Sequence, residues 1–249
     1  MKRIKLAILL VIAILAISSV AGGMLIPPAE RGKEKGRAPE KSPVIEDNGV
    51  LEKATFIHYA RSAYPLKGSV APSCYKLLGV KWKSFPVKYV INPANQDGLS
   101  VEFVTTAIST SAETWDVATV TELFNDAYSV NYEVNYGNQD FVNAIAFGDY
   151  PDNGVIAVTT IWYRPRGRQI VEFDVLFNTR FSWGDATINP AVMDLQNIAT
   201  HELGHGAGLN DIYQTACSEV TMYGYSSYGE TKKRTLEQPD ITGIKKIYG

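Results

Sequence analysis

The sequence predicts one α+β domain behind a short N-terminal appendage. The chain has 249 residues, of which 45% are hydrophobic, and this is enough for one substantial core. Segments rich in β-branched and aromatic residues recur between turns, as is typical of strands. Residues 100–117 instead have apolar side chains at helical spacing. A formal net charge of −2 without a basic cluster excludes nucleic acid as an expected partner.

The N-terminus predicts export from the cytoplasm. Basic residues within positions 1–5 precede an apolar run over 6–20, and the small residues Ser19 and Ala21 flank a cleavage point, so residues 1–21 are interpreted as a signal peptide. The alternative is an uncleaved membrane anchor that continues to about residue 26. Either way, the remainder lies outside the cytoplasm, secreted or held at the outer face of the cell membrane.

The next two segments precede the predicted domain. Residues 22–43 have prolines, glycines and charges with little to bury, which predicts a disordered linker. Residues 44–73 leave two alternatives, an inhibitory prosegment or an N-terminal extension of the sheet, and residues 54–60 within them could form a strand. His58 is interpreted as an ordinary polar side chain, because lone histidines outside motifs are rarely ligands.

Residues 74–249 form the predicted domain. Strands are expected at 87–92, 132–136, 141–147, 155–163 and 170–178. In the helix predicted over 100–117, one face is apolar and should pack on the sheet. That face consists of Val101, Val104, Ile108, Ala112 and Trp115.

The segment 201–211, HELGHGAGLND, carries the clearest chemical signal. His201 and His205 are four residues apart, so both lie on one face of a helix and can bind one metal ion. Glu202 is better placed as a general base than as a ligand. Gly208 accepts the left-handed conformation that ends a helix, which lets Asp211 return as the third ligand. Three protein ligands leave one position for water, the arrangement of a catalytic zinc site.

This segment resembles the extended zinc motif of the metzincins, with aspartate in place of the third histidine. Residues 220–225 resemble the Met-turn of that clan, with Met222 as an apolar floor under the metal, and residues 236–249 resemble the closing helix of a matrixin-like catalytic domain. The chain lacks the cysteine-switch sequence of matrixin propeptides around Cys74. The resemblance implies a zincin fold with a twisted, mixed five-stranded sheet and two long helices. In that fold the active-site helix ends at a glycine turn, and a small C-terminal subdomain contains the closing helix.

The resemblance also implies an exported zinc-dependent endopeptidase that acts on proteins or peptides as a monomer. Its substrates would pair with an exposed edge strand at Val155, Ile156, Ala157 and Val158, and Tyr223 and Tyr225 would wall a pocket for an apolar residue after the cleaved bond. Two other functions stay open: a non-catalytic zinc-binding or adhesion module on the same scaffold, and an amidase acting on cell-wall peptides. Membrane contact is expected only through an uncleaved N-terminal segment.

Two further features concern stability. Cys74 and Cys217 are the only cysteines, and an even count in an exported protein favours a disulfide, with Cys74 as an inhibitory zinc thiolate as the alternative. Calcium is a second candidate cofactor, although no acidic spacing reaches motif quality. The carboxylates considered for it are Asp149, Asp152, Asp174 and Asp185.

Overall fold

The computed structural model describes residues 44–47, 51–61 and 73–249. The predicted signal peptide (1–21) and linker (22–43) lie outside the described residues. The strands are β1 (Val44–Asp47), β2 (Glu52–Ala60), β3 (Val90–Asn92), β4 (Ser129–Val130), β5 (Ala144–Gly148), β6 (Val155–Arg164), β7 (Gln169–Asn178), β8 (Trp183–Gly184), β9 (Met193–Asp194) and β10 (Tyr225–Ser226). The helices are α1 (Val101–Asp116), α2 (Leu195–Gly206) and α3 (Gln238–Tyr248), and short 3-10 turns lie at Thr215–Cys217 and Lys232–Arg234.

The main sheet is mixed, which confirms the predicted α+β class. Its strand order is β1-β2-β6-β7-β5-β3-β4, with β10 paired to β2. Strands β1, β2, β6 and β7 are antiparallel neighbours, whereas the pairs β7-β5, β5-β3, β3-β4 and β10-β2 are parallel. The sheet has eight strands within the described residues rather than five, in part because the N-terminal strands β1 and β2 extend it.

The strand expected at 132–136 is absent, and the structure has the two-residue strand β4 just before it. The amide of Asn92 donates hydrogen bonds to the carbonyls of Tyr132 and Val134, both at 3.0 Å. Those carbonyls are therefore taken by a side chain instead of a neighbouring strand. The strand prediction was wrong because this contact spans about forty residues and has no local signature.

Helix α1 follows its prediction closely. The Ser100 hydroxyl accepts from the N–H of Phe103 at 3.1 Å and caps the first turn. Val104, Ile108, Ala112 and Trp115 are fully or almost fully buried, so most of the predicted apolar face packs into the core. Val101 in the first turn of the helix is exposed instead. The indole of Trp115 donates to the carbonyl of Thr200 at 2.8 Å and thereby joins α1 to α2.

Both ends of α2 are fixed by neighbouring elements. Asp194 caps its N-terminus by accepting from the N–H of Asn197 at 2.8 Å, and the guanidinium of Arg234 pairs with the same carboxylate. At the other end, the indole of Trp82 donates to the carbonyl of Gly206 at 2.8 Å. This anchoring gives α2 a defined position relative to the sheet.

A disulfide joins Cys74 to Cys217, as the cysteine count predicted. The bond links the start of the domain to the turn between α2 and β10, and Cys217 is buried in the core. None of the helices within the described ranges is long and apolar enough to span a bilayer.

Candidate metal centre

Helix α2 places His201 and His205 one turn apart with both rings fully buried. Their Nε2 atoms are 3.1 Å apart. The Nδ1 atom of His201 lies 2.7 Å from the carbonyl of Thr221, and that of His205 lies 3.1 Å from the carbonyl of Leu209. A carbonyl can only accept, so each Nδ1 carries the proton and each Nε2 presents a lone pair to the other. Two lone pairs at this distance repel unless the rings share a proton or bind a metal ion.

The third group arrives through the turn after α2. Gly208 has φ +97°, and a Cβ there would lie 2.6 Å from the carbonyl oxygen of Val80. This left-handed turn returns the chain, so that Oδ1 of Asp211 lies 3.2 Å from His201 Nε2 and 3.4 Å from His205 Nε2. The other oxygen, Oδ2, accepts from the hydroxyl of Tyr213 at 3.0 Å.

These three residues fit a zinc ion. Oδ1 of Asp211 is buried without a conventional hydrogen-bond partner, which is costly for a carboxylate unless a cation satisfies it. The ligand atoms of His201, His205 and Asp211 lie within 4.8 Å of one another. Two imidazole nitrogens and one carboxylate oxygen are a donor set typical of hydrolytic zinc, and the outer bonds from Thr221, Leu209 and Tyr213 orient the ligands.

The charge states of His201 and Asp211 suit a metal. Burial, followed by the nearby ammonium of Lys233, lowers the pKa of His201 to about 3. Burial alone would raise the pKa of Asp211, but the two imidazoles beside it hold that pKa far below its usual range. A neutral imidazole and an ionised carboxylate are the forms that bind zinc. Burial would lower the pKa of His205, but the carboxylate of Asp211 raises it, so zinc would have to displace a proton from this ring.

Met222 packs against Gly204 of α2. It is 1% exposed, and a Cβ on Gly204 of the helix would overlap with its Sδ atom. Asp240 at the start of α3 accepts from the N–H groups of Thr221 and Met222 at 2.9 and 3.2 Å. The closing helix therefore fixes the backbone whose Thr221 carbonyl holds His201.

Glu202 follows His201 on α2, and its carboxylate contacts the sheet. Its Oε2 accepts from the hydroxyl of Thr159 on β6 at 2.6 Å, and its Oε1 lies 2.9 Å from Nδ1 of His58 on β2. Burial raises the pKa of Glu202 to about 7. A carboxyl group that titrates near neutrality can both take up and release a proton, as a general base must.

The expectation of an exposed edge strand was wrong for this structure. Strand β2 pairs antiparallel with β6, for example His58 with Ala157 and Ile57 with Val158, so β6 has a neighbour on both sides. The residues expected to bind substrate are all buried: Val155, Ile156, Ala157, Val158, Tyr223 and Tyr225. Strand β2 also pairs in parallel with β10, where Tyr59 is opposite Tyr225. It therefore fills the groove between β6 and the segment after the Met-turn.

Sequence reasoning missed His58, which was interpreted as an ordinary polar side chain. Its ring is fully buried, 4.0 Å from the ring of His201, and its Nε2 lies 3.1 Å from Oγ of Ser226. Phe56, two residues earlier, stacks on His205 at 4.0 Å. The alternation of Phe56 and His58 on one face of a strand was the available signal.

Lys233 was also missed, because a lysine in a polar turn is normally solvated. It is fully buried, and its Nζ donates to the carbonyls of Tyr223 and Tyr225 and contacts Nε2 of His58 at 3.3 Å. Burial lowers the pKa of Lys233 to about 8, so the ammonium is still mostly protonated at pH 7. An ammonium has no acceptor, so Nε2 of His58 accepts and Nδ1 donates to Glu202.

The carboxylates considered for calcium do not converge in the described part of the chain. Asp149 pairs with Arg180 at 2.7 Å, and Asp185 pairs with Arg234 at 2.7 Å. Asp152 accepts from the N–H of Gly154. Asp174 accepts from the N–H groups of Gly137 and Ala144, so it clamps the loop before β5.

Comparison with known proteins agrees with this geometry. A family model described as matrixin matches residues 81–249. Mouse matrix metalloproteinase-25 is 25% identical over 177 residues, which cover 70% of this chain and 28% of that protein. Human neutrophil collagenase is 27% identical over 173 residues, covering 68% of this chain and 33% of that protein. Soybean metalloendoproteinase 1 is 39% identical over 69 residues, which cover 26% of this chain and 21% of that protein. The chain thus spans a third or less of the length of these relatives.

Proposed function

Because the chain belongs to the matrixin family, we propose that it is an exported zinc-dependent endopeptidase in which His201, His205 and Asp211 bind the zinc and Glu202 is the general base. The observation that carries the proposal is the buried convergence of three metal-ligand atoms, one of them an unpartnered carboxylate oxygen, beside a carboxyl group with a raised pKa. Export is supported by the apolar N-terminus and by the disulfide, which is typical of oxidising compartments.

The chain's own residues would divide the reaction as follows. A bound zinc would supply Lewis-acid polarisation of the scissile carbonyl and acidify a water molecule. Glu202 would remove a proton from the attacking water and return it to the leaving amine. Thr159 would orient Glu202, since its hydroxyl already donates to Oε2 at 2.6 Å.

Peptide substrates would bind as an added strand on β6. The residues 155–158 of β6 would supply backbone hydrogen bonds, and the segment with Tyr223 and Tyr225 would supply the opposite wall. Strand β2 already occupies this path and makes both pairings. An extended chain therefore fits the groove.

Of the two alternatives for residues 44–73, we favour the inhibitory prosegment. With β2 in place, His201, Glu202 and His205 have no exposed surface, so a substrate cannot reach them. His58 also engages the oxygen of Glu202 that Thr159 leaves available. Activity would then require β2 to leave the groove.

The test is peptide hydrolysis by the purified full chain loaded with zinc, before and after limited proteolysis, with cleavage products identified by mass. We expect hydrolysis that is suppressed by a chelator and lost in Glu202→Gln, while that variant keeps stoichiometric zinc. Zinc binding without cleavage of any protein or peptide would favour the adhesion module. Release of cell-wall peptides with no action on protein substrates would favour the amidase.

A further inference from the structure

The side chain of His58 fills a polar pocket next to Glu202. The pocket is formed by Ser226, Lys233 and the carbonyls of Tyr223 and Tyr225. An ammonium has three N–H groups. Two of them are directed at the fixed carbonyls of Tyr223 and Tyr225, and the third contacts Nε2 of His58 at 3.3 Å. The third N–H group therefore needs an acceptor from the side chain that occupies the pocket.

Strand β2 indicates where a substrate side chain would lie. It pairs with β6 over residues 52–59, with a register shift between His58 and Tyr59, and its last two residues pair with β10. The side chains of Phe56 and His58 lie against α2. A peptide that replaced β2 with the same pairing would direct one side chain into the position of His58, beside Glu202. This is the position closest to the reacting bond in the proposed function.

We propose that Lys233 makes this pocket selective for a glutamate side chain in the substrate, an inference that rests on the proposed endopeptidase function. Nε2 of histidine and Oε of glutamate are both four bonds from Cα, so a glutamate places a carboxylate oxygen where Nε2 of His58 meets Lys233. A hydrogen bond between a carboxylate and an ammonium is stronger than one between neutral groups. An apolar side chain would leave a buried N–H of Lys233 unpaired, which is unfavourable.

The charges around the pocket also favour glutamate over aspartate. The Nδ1 atom of His58 is three bonds from Cα, like Oδ of aspartate, and it lies 2.9 Å from Oε1 of Glu202. A substrate aspartate would therefore bring its carboxylate next to that of Glu202, and like charges repel. Glu230 lies at the far side, 3.2 Å from Ser226, so the carboxylate must stop at Lys233. The tyrosine walls remain, but the base of the pocket is cationic rather than apolar as the family resemblance implied.

The first test uses the full chain with β2 in place. Both His58→Glu and His58→Leu lose the Nδ1 donor to Glu202, so both should lower the melting temperature, but we expect His58→Glu to lower it less than His58→Leu. In a Lys233→Met background this order should reverse, because the apolar side chain then meets an apolar base. Lys232→Met is the matched control, since Lys232 pairs with Glu219 on the surface. The same order of Glu and Leu in both backgrounds would overturn the proposal.

The second test uses substrates. Peptides that differ only by Glu, Gln, Asp, Leu or Lys at the residue after the mapped cleavage site are given to the zinc-loaded, proteolysed chain. We expect kcat/KM for Glu to exceed that for Leu by about tenfold, the effect of one charged hydrogen bond, and Lys233→Met to abolish the preference. A preference for Leu would overturn the inference while leaving the endopeptidase intact.

If no peptide were cleaved, the proposed function would fail. Affinities of the same peptides for Glu202→Gln, by fluorescence polarisation, would then decide the pocket, and equal affinities for Glu and Leu would refute it.

Discussion

Nδ1 of His58 lies 2.9 Å from Oε1 of Glu202, although the two residues are 144 positions apart in the sequence. The contact joins a strand near the N-terminus to the helix that carries the candidate metal ligands. It is possible because β2 pairs with β6 along eight positions and because His58 is on the face directed at α2. One imidazole thus connects the proposed general base with the buried ammonium of Lys233.

Removing the side chains that β2 inserts into the site should activate the full chain. Phe56→Ala removes the ring stacked on His205, and His58→Ala removes the contacts to Glu202 and Lys233. Each change weakens the covered state by loss of buried packing or hydrogen bonds, on the order of 2–4 kcal/mol. We expect peptide hydrolysis by the double variant to exceed that of the parent chain by at least about tenfold.

The control for that experiment is Arg61→Ala, an exposed residue at the end of β2 whose side chain is outside the groove. Its hydrolysis rate should match that of the parent chain. If the double variant bound zinc, stayed folded and yet hydrolysed peptides no faster than the parent, β2 would be a permanent part of the sheet.

Tyr213→Phe should weaken zinc binding without removing a ligand. The hydroxyl of Tyr213 donates to Oδ2 of Asp211 and so fixes the carboxylate whose Oδ1 faces the two imidazoles. Loss of such an outer hydrogen bond typically lowers metal affinity by about ten- to a hundredfold. Competition titration with a zinc chelator measures the change. Tyr228→Phe, on an exposed tyrosine in the nearby loop, should leave the affinity unchanged.

The sequence predicted those parts of the site that are local along the chain. His201 and His205 share one helical face, and Gly208 allows the turn that returns Asp211, so neighbouring residues contain this information. The positions of His58 and Lys233 depend on a strand pairing and a turn that bring distant segments together. Sequence periodicity does not predict such contacts, and a lone histidine or lysine is normally interpreted as a solvated side chain.

The strands show the same limit. The long strands β6 and β7 were predicted within a residue or two, because ten consecutive residues in each have strong β-propensity. The sequence did not predict that the sheet has eight strands within the described residues. The reason is that the pairing of β2 with β6 joins distant segments and has no local signature.

Gly208→Ala should destabilise the fold and lower zinc affinity together. The residue has φ +97°, and an added Cβ would lie 2.6 Å from the carbonyl oxygen of Val80. Backbone strain at a positive φ costs about 1–2 kcal/mol, and the clash adds to this by moving the turn that carries Asp211. Urea unfolding gives the stability change. Gly98→Ala is matched in conformation, with φ +71°, but has no atom within 4 Å of the added Cβ. It should lose only the strain contribution, and an equal loss in both variants would show that the clash is relieved without cost.

The buried carboxyl of Asp174 should make stability fall as pH rises. Burial raises its pKa from 3.8 to about 8, against the effect of the N–H groups of Ala144 and Gly137 that it accepts from. The folded state then binds more protons than the unfolded state between pH 4 and pH 8, so the favourable contribution is complete below about pH 4 and is lost as pH approaches 8. The urea midpoint should therefore decrease between pH 5 and pH 9.

Asp174→Asn should be less stable at pH 5, because an amide cannot accept both N–H groups, but its midpoint should vary less over this range. Asp149→Asn is the control, since Arg180 lowers the pKa of Asp149, the opposite direction from Asp174, and this variant should keep the pH profile of the parent chain. A pH profile in Asp174→Asn as steep as that of the parent chain would assign the dependence to another group.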